Sequence, residues 1–346
     1  MSTSSQYLLI VRVTFMGGTF YLGPVAVRHL VEAGHTVVVA HSGQHEHPDV
    51  QDVEHIHGDR QELLAEGGLV ERWRPDAVID TFGEGATAER AAQLADFLRR
   101  SAANHLVAIS SIDVYQHAVD AGMGDGSGII PLPRQAIPID EDAPLRDGPY
   151  PGGSATHDNV AMEAALRAAG WVTVLRPGAI YGRFANSRER YFIQLIEHGV
   201  HELKLPAGGQ QIFHRVAADR VARAIVSALT NAPEGFWACN VVDPYDWTFA
   251  GLAAEVGALL TWDWEPVEVP FAEANHPWAT AHPILCSDRR LRDTLQVAAD
   301  KPDPRAALRA TLEWLWEHRA ELSPLTSAQR ALLNTSSGDR ARRSGS

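Results

Sequence analysis

The stretch Thr14-Phe-Met-Gly-Gly-Thr-Phe-Tyr-Leu-Gly23 decides the fold, because it lies between an apolar run and an amphipathic segment. Leu8 to Val13 reads as a mostly buried strand. Pro24 to Ala33 reads as a helix whose first turn tolerates the proline, and Gly34 supplies its stop. His35 to Ala40 is a second strand. Strand, glycine turn, helix and strand within about thirty residues is the start of a dinucleotide-binding unit. Glycine lets backbone approach a pyrophosphate, and a helix start offers unpaired N–H groups and a partial positive charge. Gly17 and Gly23 are six apart, with Phe20 in the usual middle-glycine position. Gly17, Gly18, Thr19, Phe20, Tyr21, Leu22 and Gly23 are therefore the expected phosphate loop.

Working outward, His41-Ser-Gly-Gln44 and His45-Glu-His-Pro48 form a polar loop where the adenosine ribose would lie. A carboxylate there favours two free hydroxyls and repels a 2′-phosphate. None occurs between Thr36 and His45. Ser42 can donate to a phosphate and His41 can stack or donate, so NADPH/NADP is expected in preference to NADH/NAD. Val53 to His57 reads as a third strand running into Gly58-Asp59-Arg60. Asp59 is a candidate acceptor for the adenine amino group or a simple turn residue. Arg60 is a candidate phosphate ligand or the partner of Asp59. Asp76 to Gly83 is a fourth strand whose end, Thr81, Phe82 and Gly83, suits close passage over a cofactor. After a helix over Ala86 to Arg99, the strand His105 to Ser111 ends in two hydroxyls, Ser110 and Ser111.

Gln116 to Gly153 breaks this rhythm with glycines and prolines. A loop so long in a compact domain is functional or mobile, and it reads either as a wall over a substrate or as a surface excursion. Regular structure resumes with a helix over Thr156 to Ala169, the strand Trp171 to Arg176, and a ligand-facing loop at Pro177, Gly178, Ala179 and Ile180. Helices are expected at Tyr191–His198, Val221–Leu229, Phe249–Leu260 and Ala306–His318, and a strand at Trp237–Val242. The fold class is α/β: a Rossmann-like parallel sheet with helices on both faces and a smaller C-terminal substrate-binding domain. The expected division is 7–183 for the dinucleotide half, including the 116–153 insertion, and 184–322 for the substrate half, with returns to the first. Residues 323–346 read as a flexible tail.

Composition excludes several classes. The 346 residues suffice for one large or two medium domains, and a net charge of −13 argues against a nucleic-acid surface. The two cysteines, Cys239 and Cys286, make no disulfide framework. Sixteen histidines are scattered without a close Cys/His cluster, so no metal site is expected. No stretch reaches membrane length, no signal-like segment opens the chain, and a cytoplasmic location is expected. Monomer and oligomer remain open.

The order of these segments resembles the extended and atypical short-chain dehydrogenase/reductase superfamily, also called the NAD-dependent epimerase/dehydratase family. Met16 to Gly23 resembles its phosphate loop, and His105 to Tyr115 its strand-and-serine motif, with Ser111 at the catalytic hydroxyl. Leu175 to Gly182 resembles the loop beside the nicotinamide. That family carries a tyrosine and a lysine four residues apart on a helix, with a glutamate four further on. Counting back from Glu163 puts Asn159 in the lysine position and Ala155 in the tyrosine position. Asn159 can still bond a ribose, but Ala155 transfers no proton. Ser111, Tyr150 and His157 are the candidate replacements, although helical spacing turns His157 to a different face. His214 and Arg215 either enter the cleft or serve a turn or salt bridge.

Hydride transfer does not require the protein to own the acid if the substrate carries a neighbouring hydroxyl. The expectation is therefore an NADPH-dependent ketoreductase whose partner is an aromatic or polycyclic ketone, such as an angucyclinone-like hydroxyketone of antibiotic biosynthesis. A nucleotide-sugar epimerase or dehydratase is the first alternative. A non-catalytic NAD(P)-binding regulatory or scaffold protein, which accounts for both missing side chains, is the second.

Overall fold

The protein is described by a computed structural model covering residues 11–82, 85–121, 135–149, 156–184, 187–274 and 276–322. In chain order the first half contains β1 (Arg12–Met16), α1 (Gly23–Glu32), β2 (Thr36–His41), β3 (Glu54–His57), α2 (Arg60–Leu63), α3 (Leu69–Trp73), β4 (Ala77–Asp80), α4 (Ala88–Arg100), β5 (His105–Ile109), α5 (Gln116–Asp120) and α6 (Asn159–Leu166). The second half contains β6 (Trp171–Pro177), β7 (Ala179–Tyr181), α7 (Arg190–Glu197), β8 (Glu202–Leu205), β9 (Arg215–Ala217), α8 (Ala218–Asn231), β10 (Phe236–Val241), α9 (Phe249–Leu260), β11 (Glu265–Glu268), α10 (Arg289–Asp293) and α11 (Pro304–Glu317).

Seven strands form one parallel sheet in the order β10-β6-β5-β4-β1-β2-β3. Such a sheet needs cover on both faces, which explains the continuous apolar runs of β2, β4 and β5. On one face α1 packs beside α8, and on the other α4 packs beside α6. The strand order reverses between β1 and β4, so the C-terminal ends of these strands open a crevice at the switch point. This is the Rossmann-like α/β architecture expected from the sequence.

A second core gathers around α7, α9 and α11. Phe192 stacks on Phe249 and Trp278 with ring centres 5.8 and 5.2 Å apart. Two short parallel pairs, β7 with β9 and β8 with β11, belong to this region and carry no repeating sequence signal. The chain then returns to the main sheet as β10, beside β6.

Two expectations are corrected. The helix expected from Thr156 begins only at Asn159, because Asp158 caps it by accepting from Val160 N and Ala161 N at 3.2 and 3.3 Å. The Gln116–Gly153 excursion opens with the short α5, and its described part at 135–149 is pinned rather than free. Ile139 is buried and its N–H donates to Leu285 O, while Arg146 N donates to Val114 O. Residues 122–134, 150–155 and 323–346 lie outside the described residues. Among the described residues, no helix is long and apolar enough to cross a membrane.

Two buried histidines make the fold acid-sensitive. His105 stacks on Trp171 and His276 on Phe249, and burial pushes their pKa values down from 6.5 to about 4 and about 3. Below pH 6.5 the unfolded chain binds protons that the folded chain refuses, so this stability is present above 6.5 and is lost as pH falls. Urea unfolding is expected at a lower midpoint at pH 5 than at pH 7, with a smaller drop in His105→Phe than in the parent.

Candidate functional site

The glycine loop bridges β1 and α1 at the mouth of the crevice. Gly17 and Gly18 hold φ of +90° and +89°, a region costly for other residues. A Cβ on Gly23 would lie 2.5 Å from Gly18 C, and one on Gly18 would lie 2.9 Å from Val39 Cγ1. The loop is thus closed tightly over the sheet. Among the described residues, the N–H groups of Thr19, Phe20, Tyr21 and Leu22 donate to no backbone acceptor of the protein. Phe20 occupies the middle position with its ring 69% exposed, whereas Tyr21 takes the left-handed φ of +57°. The Tyr21 hydroxyl donates to Ile180 O at 2.9 Å, joining the glycine loop to the segment after β6. There Gly178 lies so close to His214 O that a Cβ would stand 2.4 Å from it.

At the other end of the crevice, pairing of β2 with β3 sets His41 beside His57. His41 is buried, its Nε2 lies 2.8 Å from His55 Nδ1, and its Nδ1 accepts from Gly43 N at 3.2 Å. Burial lowers its pKa. Glu46 folds back from the loop, with carboxylate oxygens 3.1 Å from His57, 3.3 Å from His55 and 3.7 Å from His41. The fold therefore brings into one group histidines that are scattered along the chain. Alternation along Glu54-His-Ile-His57 was the group's only local signal. Ser42 is exposed, and Asp59 caps α2 by accepting from Gln61 N at 2.8 Å. Arg60 is paired with Asp80 at 2.5 Å and lies over the Phe82 ring, beside Thr81.

Where the catalytic helix was expected, a buried network stands instead. Arg176 donates Nε and Nη2 to the two oxygens of Glu163 at 3.0 and 2.7 Å, and Nη1 to Tyr115 OH at 3.0 Å. Ser110 Oγ donates to the same carboxylate at 2.6 Å, so its hydroxyl is engaged within the protein. Ser111 accepts from Asp113 N at 3.1 Å. Asn159 is buried and donates Nδ2 to Asp113 Oδ1 at 3.1 Å. His157 precedes the helix, so helical spacing does not govern its direction. Its Nε2 lies 3.7 Å from Asp113 Oδ2 and 3.2 Å from Asn159 Nδ2. The fold thus gathers Ser111, Asp113, His157 and Asn159 at the end of β5. Asp113 is the member that sequence reasoning missed, two residues beyond the expected serine.

Other candidates fall elsewhere. Tyr150 and Gly83 lie outside the described residues. His214 is buried, bonded through Nε2 to Asp243 O at 2.9 Å and through Nδ1 to Cys286 N at 3.0 Å. Arg215 is buried between Glu189 and Asp246. Both are structural.

A family model described as the NAD dependent epimerase/dehydratase family matches residues 13–239. No curated protein matches the sequence. Among solved structures, the UDP-glucose 4-epimerase of Thermotoga maritima with UDP-glucose is similar at 17% identity, with a TM-score of 0.64 over 90% of this chain and 100% of that one. The Bordetella bronchiseptica enzyme WbmG in complex with NAD gives 16% and 0.68 over 91% and 96%. DesIV of Streptomyces venezuelae, a dTDP-glucose 4,6-dehydratase with NAD and TYD bound, gives 17% and 0.67 over 91% and 100%. At these identities the likeness is one of fold.

These findings overturn the expected reduction of an aromatic or polycyclic ketone, and with it that ketone as partner. The argument for a substrate-supplied acid also weakens, because an imidazole–carboxylate pair stands at the end of β5. The NADPH preference is overturned too. The family is described by NAD, and the features read as phosphate ligands are otherwise occupied: His41 faces other histidines, Arg60 holds Asp80, and Glu46 brings a negative charge.

The Arg176 network yields a stability prediction. Arg176→Met leaves the Glu163 carboxylate buried without its cation, and a loss of about 3–5 kcal/mol in chemical unfolding is expected. The double variant Arg176→Met/Glu163→Gln should recover part of that loss.

Proposed function

The chain belongs to the NAD dependent epimerase/dehydratase family, and on that premise we propose that it is an NAD-dependent enzyme acting on a nucleotide-activated sugar. The observation that carries the reading is the tightly packed glycine loop at the switch point of the sheet, inside the matched span. The similar structures support the substrate class, since they include UDP-glucose and dTDP-glucose enzymes.

Gly17 to Gly23 would hold the pyrophosphate through the N–H groups of Thr19 to Leu22 and the start of α1. Glu46, beside His41 and Ser42, would accept from the ribose hydroxyls, and Asp59 would receive the adenine amino group. Thr81, Phe82 and the Pro177-Gly178-Ala179-Ile180 segment would flank the nicotinamide end, with Ser110 and Asn159 supporting its floor through Glu163 and Asp113. Bound NAD supplies the hydride acceptor and donor.

The protein's own task is then to move a hydroxyl proton. His157 is suited to take and return it, because an imidazole titrates near neutral pH and the Asp113 carboxylate faces the ring when it is charged. Ser111 would orient the same sugar oxygen through its hydroxyl proton. Ala155 and Asn159, in place of tyrosine and lysine, favour a second reading: a protein that binds NAD without turning over a substrate.

Incubation with NAD and a panel of UDP- and dTDP-hexoses, followed by NMR of the sugar, tests both readings. Conversion to an epimer or a 4-keto-6-deoxy sugar is expected, and His157→Gln should lower kcat about 100-fold with little change in KM. NAD binding without any conversion supports the second reading, and absence of NAD binding overturns both. Calorimetry should give tighter binding of NAD than of NADP, a gap that narrows in Glu46→Gln.

A further inference from the structure

We propose that His41, His55, His57 and Glu46 form a binding site for one divalent transition-metal ion of the zinc type. The ligand atoms of these four residues all lie within 4.8 Å of one another. Four ligands at about 2.0–2.1 Å from a tetrahedral zinc stand about 3.3 Å apart. The contacts here are 2.8 Å between His41 Nε2 and His55 Nδ1, and 3.1, 3.3 and 3.7 Å from Glu46 to His57, His55 and His41. The 3.1 and 3.7 Å contacts are to Glu46 Oε1 and the 3.3 Å contact to Oε2, and the remaining pairs lie within 4.8 Å, so the rings and the loop would draw in around an ion.

Sheet geometry assembles the imidazoles. His41 and His57 are register partners, and His55 lies on the same face as His57 because side chains alternate along a strand. Glu46 completes the set from the loop between β2 and β3. His55 is oriented for coordination: its Nε2–H donates to Val50 O at 2.9 Å, which leaves the Nδ1 lone pair facing the other ligands. A carbonyl that holds the far ring nitrogen is the usual support of a metal-bound histidine. His41 adapts on binding, since its ring proton must move to Nδ1 and release the 3.2 Å bond from Gly43 N.

Chemistry selects the ion. Three imidazole nitrogens and one carboxylate suit zinc or a neighbouring transition metal, whereas magnesium and calcium require oxygen shells. Buried His41 and half-buried His55 form the floor, and the side chains of His57 and Glu46 are 52% and 45% exposed, which leaves an entry path. The site shares Glu46 and His41 with the proposed ribose pocket, so a bound ion would compete there with the cofactor, but metal uptake by the cofactor-free protein is read without NAD or a sugar.

The test is calorimetric titration of Zn²⁺, and separately Mg²⁺, into the tag-free full chain after chelator treatment and dialysis. One equivalent of Zn²⁺ should bind, with no saturable uptake of Mg²⁺. His57→Gln and Glu46→Gln, both at the exposed rim, should each weaken Zn²⁺ binding at least about tenfold while leaving metal-free thermal unfolding unchanged. Absence of a saturable equivalent, or parent-like binding in either variant, overturns the proposal.

Discussion

A single buried guanidinium holds the working edge of this protein together. Arg176, at the C-terminal end of β6, grips Glu163 on α6 through two bonds, Tyr115 after β5 through a third, and the carbonyl of Glu141 through a fourth at 3.1 Å. Tyr115 passes the linkage to Asn240 on β10, whose backbone N–H donates to Glu141. Three strands, one helix and a long connection thereby share one charge. Burying such a pair is costly in itself, and its value lies in geometry. The segment after β5 that bears Ser111 and Asp113, and the start of α6 that bears Asn159, are fixed because their supports are satisfied.

The two ends of the crevice solve different problems. At the glycine loop, space is the constraint: glycine packs on glycine, and Phe20 is tolerated because its ring turns outward. At the end bearing His41, charge is the constraint. The negative group comes from Glu46, outside the strand, after a turn that returns it to the strand ends. The carboxylate's position in the chain therefore does not reveal its position in space.

That distinction explains what could be read from sequence. The main sheet was legible because its signals are local: apolar runs, glycine turns and helical periodicity repeat within short windows, and α9 falls on the expected residues. The strand pairs β7–β9 and β8–β11 were not, since three or four residues with distant partners leave little pattern. The start of α6 was misplaced by an alanine-rich run, although Asp158 before Asn159 carried a cap signal. His157 was kept as a candidate but turned to another face by helical spacing, which does not apply to a residue ahead of the helix. The grouping of His41, His55 and His57 depends on strand register, which no linear count supplies.

The late return of β10 to the main sheet has a consequence for truncation. This strand follows the entire β7–β9 excursion in the chain, yet it completes the sheet edge and delivers Asn240 to Tyr115. A break between residues 183 and 236 would part these partners. A fragment ending before residue 236 would therefore lack both the sheet edge and the acceptor of the Tyr115 hydroxyl.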